Sequence, residues 1–289
     1  MNNQPKLMMN SKPLLSCLAA LLLASPIAWA DTIASWTFET SVPAGTPGAG
    51  VWITNIAAEV GSGTAAGWHA GNATYSSSAG NGSAHSFSST AWATNDFYQF
   101  AVSTIGFQNV TVGYDQTGSA TGPRDFVFSY STDGVSFTTV GSSYIVLTNS
   151  ASANNEGSGK STSAWSSTGS QQSAYTVTFD LSATNSLVNQ SVVYFRLTVA
   201  DGTSENGGSI GSGGTDRVDN FLVSGTAIPT SPTLNIQRDG SNIVLTWSDA
   251  SFALQAAPNA TGIYTNVPGA ATSYSEPMGD PQKFYRLVR

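Results

Sequence analysis

The chain runs to 289 residues, 40% of them hydrophobic and only 9% charged, with 29 glycines and 12 prolines, a balance that suits short strands joined by many turns. Ten basic and 17 acidic residues give a formal net charge of −7. Both Lys6 and Lys12 lie in the first thirty residues and every acid lies after them, so removal of that segment leaves 8 basic residues and a charge of 8 − 17 = −9. Nucleic acid and anionic membrane surfaces are therefore excluded as expected partners.

The first thirty residues read as an export signal. Lys6 and Lys12 open it, Leu14 to Leu23 supply an apolar core too short to span a bilayer, and Ala28-Trp29-Ala30 is a small-x-small cleavage site before Asp31. A lipoprotein signal at Cys17 fits less well, because most of the apolar stretch follows the cysteine. Cys17 is the only cysteine, so the exported chain is expected to form neither disulfides nor thiolate metal sites.

From Ile33 to Glu39 the sequence alternates, with Ala34, Trp36 and Phe38 on one face. Val51 to Ile56 reads as a short strand. Residues 61–90 are mostly Gly, Ser, Ala and Thr, with Trp68, His69, Tyr75, His85 and Phe87 scattered among them. Asp96 to Thr104 places Tyr98, Phe100 and Val102 on one side, and Val110 to Tyr114 repeats the pattern. Arg124 to Val140 predicts a β-hairpin around Asp133-Gly134. A type I′ turn there would set Tyr130 opposite Phe137 and Phe128 opposite Thr139, whereas one bulged residue would shift the pairing. Tyr144 to Leu147, Tyr175 to Leu181, Val192 to Val199 and Arg217 to Val223 complete the strands. The segment starting at Val192 is apolar on both faces at its start and is the candidate central strand.

No run of ten or more residues after the leader carries a capped helical period, so an all-β protein is expected. Residues 31–226 form the main sandwich, long enough to bury about 70% of the surface its unfolded chain exposes. Ala227 to Pro232 is a proline-bracketed linker, and 233–289 hold short strands at close spacing, expected to make a second, small β-sandwich.

WTFE from Trp36, NGSAHSFSS from Asn81, Trp92 to Phe100 (W-x-x-x-D-F-Y-Q-F), YSTDG-x-x-F and the closing RVDNF together resemble the antiparallel jelly-roll module of secreted bacterial proteins, carbohydrate-binding-module-like and sometimes attached to extracellular hydrolases. LTWS at Leu245, FALQ at Phe252 and FYRLV at Phe284 are similar to fibronectin/immunoglobulin-like C-terminal modules. The first resemblance implies a structural calcium held by an acid on the first strand and one on the last, places that Glu39 and Asp219 occupy. Oxygen ligands and backbone carbonyls suit that ion.

Enzymatic motifs match poorly. Gly207-Gly208-Ser209-Ile210-Gly211 has the form of a nucleophile elbow, yet His69 and His85 both precede it. Gly61-x-Gly63-x-x-Ala66 lacks a surrounding βαβ unit, and Gly159-Lys160-Ser161 has Asn154 where a phosphate loop needs glycine. Glu39, Glu59, Glu156 and Glu205 are dispersed, without the paired spacing a glycosidase needs on one strand. His69 and His85 read as ordinary loop side chains rather than metal ligands or bases.

Trp36, Trp52, Trp92 and Trp247 are expected in the cores, whereas Trp68, Tyr75 and Trp165 lie outside regular strands and are the expected platforms for a glycan ring. The expected protein is thus a secreted, non-enzymatic binder of extracellular polysaccharide or cell-surface material. The contrasting readings are a structural or adhesive spacer and a hydrolase with an unfamiliar site.

Overall fold

A computed structural model describes residues 30–149, 164–279 and 282–289. The export signal with Cys17, and Glu156 with Gly159-Lys160-Ser161, lie outside the described residues. The described chain is all-β, with single 3₁₀ turns at Ser173–Tyr175 and Asn185–Leu187. Among the described residues no helix is long and apolar enough to cross a membrane.

Two sheets face each other in a jelly-roll-type sandwich. In the first, Phe107–Gly118 and Thr215–Ala227 are the long central strands. Asp31–Trp36 and Phe87–Thr90 pair with the latter, and Thr176–Asp180 with the former. The second sheet runs Thr138–Thr139, Asp125–Ser131, Val193–Val199, Phe97–Val102, Gly63–Trp68, Ile53–Ala57. All of these pairings are antiparallel.

Alternation along each strand decides what the layers share. Tyr98, Phe100 and Val102 from one strand and Val193, Phe195, Leu197 and Val199 from its neighbour point inward against Val112, Tyr114, Phe221 and Val223. Phe100 and Phe221 stack with centroids 3.5 Å apart, and Trp36 meets both edge-on at 5.2 and 5.8 Å. The Trp36 indole donates to the Ile56 carbonyl at 3.0 Å, which pairs the one polar atom of that ring.

Three expectations change. Val193–Val199 is central, but its burial alternates strictly, so only one face is core. Its neighbour in the hairpin is shifted by one residue: Tyr130 lies opposite Thr138, and Ser129 opposite Thr139. Gly134 takes φ 73°, but Asp133 stays out of the left-handed region. The Ser131 hydroxyl instead accepts the amides of Asp133 and Gly134, while Asp133 Oδ1 accepts those of Val135 and Ser136. Local side-chain bonds thereby replace the two-residue turn with a wider loop. Finally, Trp52 is not a core residue; it is 38% exposed.

Residues 235–288 build a small sandwich of two three-stranded sheets. Leu245, Trp247 and Leu254 form its buried centre, with Phe252, Tyr274 and Leu287 packed around them. Ser273–Pro277 is a strand that periodicity had not distinguished.

Candidate ligand-binding site

The outward side chains of the second sheet follow directly from its register. One row across the strands reads Thr64, Ala101, Tyr194, Ser131. The next reads Ala66, Gln99, Arg196, Ser129, and the third Trp68, Phe97, Thr198, Val127. Small side chains at Ala66 and Ala101 lower the middle of this face. The result is a groove of about 580 Å³ lined in part by Trp52, Asn55, Gln99 and Tyr194.

Trp52 and Tyr194 stand along it, and further rings continue the same face of the sheet beside it. Trp68 stacks on Phe97 at 5.5 Å and anchors its indole N–H on the Gly50 carbonyl at 3.1 Å. Trp52 meets Phe97 edge-on at 5.2 Å, leaving much of its own ring accessible. Arg196 lies between Phe97 and Phe137, with its guanidinium carbon 4.0 and 3.7 Å from the two ring centroids. Its Nε donates to Gln99 Oε1 at 2.8 Å. Burial lowers the guanidinium to about 10, so it remains a cation at neutral pH. Flat apolar faces beside amide, hydroxyl and guanidinium groups can stack on a sugar ring and bind its hydroxyls.

The brace behind Trp68 is a buried polar cluster. Asp96 accepts the amides of Ala70 at 2.8 Å and Ala93 at 2.7 Å and approaches His69 Nδ1 at 3.2 Å. On its other side His69 Nε2 lies 3.2 Å from the Ser89 hydroxyl. Burial pulls the His69 pKa down, against the opposing charge of Asp96. Ser89–His69–Asp96 thus has the connectivity of a serine-hydrolase relay. However, none of the three is more than 1% exposed, so the hydroxyl has no route to a substrate. Here the cluster fixes the segment between Trp68 and Phe97. His85 is elsewhere, with Nδ1 3.4 Å from the Ser77 carbonyl.

Of the three expected platforms, Trp68 alone reaches this face. Tyr75 is only 2% exposed because pairing of Tyr75–Ser76 with Phe87–Thr90 turns its ring inward, between His69 and Phe87 and over the bare backbone of Gly67. Trp165 is 6% exposed, edge-on to Tyr175, with its indole donating to the Ala79 carbonyl at 2.6 Å. Both rings are turned inward and buried. Trp52 was expected in a core, and Gln99, Tyr194 and Arg196 were not singled out in the sequence. The available signal was the alternation itself: with Tyr98 and Phe195 inside, Gln99, Tyr194 and Arg196 must face out.

Glu39 and Asp219 grip one loop from two sides. His85 N–H donates to Glu39 at 2.7 Å, while Asn81 N–H and the Ser83 hydroxyl donate to Asp219 Oδ2, each at 2.7 Å. A Cβ added at Gly80 would lie 2.0, 2.1 and 2.4 Å from Ser83 Oγ, the His85 carbonyl and Asp219 Oδ2. These converging hard oxygens fit the chemistry calcium requires, although among the described residues no three acidic, histidine or cysteine side chains gather as metal ligands. Ser209, in the elbow-like motif, sits in an exposed loop bridged to Thr203 rather than on a strand-to-helix turn.

No protein-family model and no curated protein matches the chain. Among solved structures, it is similar to TmCBM61 in complex with β-1,4-galactotriose, at 12% identity and a TM-score of 0.27 over 65% of this chain and 92% of that one. It is similar to the N-terminal CBM22-1–CBM22-2 tandem domain of Paenibacillus barcinonensis Xyn10C, at 13% and 0.36 over 92% and 86%. A third similar structure is the K2 cleaved adhesin domain of Lys-gingipain, at 18% and 0.30 over 66% and 98%.

Proposed function

We propose that this protein is exported and binds an extracellular polysaccharide, without catalysis, in the groove on the outer face of its second sheet. The observation that carries the reading is the accessible Trp52 ring sharing a groove with Gln99 and Tyr194, while Arg196 stands beside it. An exposed aromatic surface of this kind costs solubility unless it has a partner. The same reading assigns 1–30 to a removed signal, 31–226 to the binding module, and 233–289 to an immunoglobulin-like accessory module after a short linker.

Calcium is proposed as a structural ion held by Glu39, Asp219, the Ser83 hydroxyl and the His85 carbonyl. Bound there, it would supply positive charge joining the end of the first strand to the last. The decisive experiment is retention of the purified protein on a panel of immobilised polysaccharides. Trp52→Ala and Tyr194→Ala should each abolish retention on the polysaccharide that holds the parent, with melting temperatures nearly unchanged. Undiminished retention of both variants would overturn the assignment of this face.

A further inference from the structure

Beneath the loop that joins the strand ending at Val199 to the one beginning at Thr215 lies a second acidic pocket, separate from the Glu39 and Asp219 loop. Glu205 is 0% exposed, and neither carboxylate oxygen meets a hydrogen-bond donor. Its backbone is fixed, because its amide donates to the Gly122 carbonyl at 3.0 Å. The carboxylate occupies space left by a glycine: Oε1 lies 3.0 Å, and the Pro123 carbonyl 3.3 Å, from the place where a Gly118 Cβ would be. Gly118 is the cross-strand partner of Asp216, which is also 0% exposed.

The neighbouring donors are committed elsewhere. Gln116 Nε2 spans both Asp216 oxygens at 3.1 and 3.2 Å, and Gln116 Oε1 receives the Tyr144 hydroxyl at 2.7 Å, which fixes the amide toward Asp216. Tyr98 donates to the Asp216 backbone carbonyl at 2.9 Å. Arg124 is paired with Asp125 at 2.8 Å; Arg217 projects from the opposite side of its strand to the Ala79 carbonyl at 3.4 Å and leaves its buried Nε unpaired, without reaching Glu205. Two buried carboxylates are therefore neighbours, and no donor reaches either oxygen of Glu205. Burial, reinforced by Asp216, pushes Glu205 up to about 9. A lone proton would only partly answer this, since a carboxylic acid still leaves one bare oxygen.

We propose that Glu205 and Asp216, with the Pro123 carbonyl, hold a divalent cation of the calcium type. Oxygen-only surroundings select a hard ion, and backbone carbonyls commonly complete its coordination. Asp216 and Asp219 belong to one strand but serve different sites. Asp216 points into the sandwich end with Gln116, whereas Asp219 turns to the loop around Ser83.

The test is calcium stoichiometry of the chelator-stripped protein by equilibrium dialysis, with Glu205→Gln and Asp219→Asn in parallel. Glu205→Gln mimics a neutral acid in shape. It is expected to bind one calcium fewer per chain than the parent and to lose part of the calcium-induced rise in melting temperature, independently of Asp219→Asn. Equal stoichiometry in Glu205→Gln and parent would overturn the proposal and leave Glu205 as a protonated acid beside Asp216. Should that variant fail to fold, infrared difference spectra of the parent decide the matter. Loss of a buried carboxylic-acid band on adding calcium at neutral pH supports the site, and an unchanged band overturns it.

Discussion

Asp96→Ala is the most informative substitution, because one side chain holds the segment that presents Trp68. The change removes the acceptor for the Ala70 and Ala93 amides and the partner of His69, with Asp96 and His69 themselves buried. Hydrogen bonds to a charged group contribute about 1.5–3 kcal/mol each, and Asp96 accepts two from main-chain amides. A loss near 4 kcal/mol is expected. At about 2–4 °C per kcal/mol for a domain of this size, melting should fall by about 8–16 °C. Asp96→Asn keeps one carbonyl oxygen but turns an NH₂ toward one of the two amides, so a smaller drop, about 2 kcal/mol, is expected. Calorimetry of the purified protein measures both, and polysaccharide retention below the transition should weaken in Asp96→Asn as Trp68 loses its support. Melting of Asp96→Ala within about 2 °C of the parent would refute the brace.

Glu59 gives an acid-side test. Burial alone would raise its carboxyl, but hydrogen bonds from Thr37, Thr40 and Ser41 outweigh it and bring it from 4.5 down to about 2. Its stabilisation is thus complete above pH 4.5 and is lost as pH falls toward 2; Glu59→Gln should flatten that part of the stability curve in acid titrations followed by tryptophan fluorescence. His69 has the opposite charge type with the same sign of effect: burial keeps it neutral, so unfolded chains protonate first and stability falls as pH drops below about 6.5. His69→Gln should reduce that slope. Phe221→Ala removes the ring stacked on Phe100 and edged by Trp36, and should cost about 3–5 kcal/mol in denaturant unfolding.

The two-layer architecture was legible because period-two alternation survives in single strands: Ala34, Trp36 and Phe38, or Tyr98, Phe100 and Val102, identify a buried face without any partner. The hairpin register was less so, since Ser131 and Asp133 compete for the turn amides and a one-residue shift follows from bonds that a dipeptide rule does not count. Loop aromatics were the least legible. Whether Tyr75 or Trp165 faces water depends on segments far away in sequence, including Phe87–Thr90 for the first and the Ala79 carbonyl for the second. Arg196 was readable in principle, because its strand neighbours Phe195 and Leu197 are core residues. Glu205 gave no signal, since its burial arises only when the loop closes over Gly118.

The groove combines a fixed base with one adjustable side. Gln99 and Tyr194 stand on the sheet's inner strands, but Trp52 adjoins the terminal strand Ile53–Ala57, which carries a register break. Changes in length on that flank can therefore widen or narrow the channel while the hydrophobic interior stays intact.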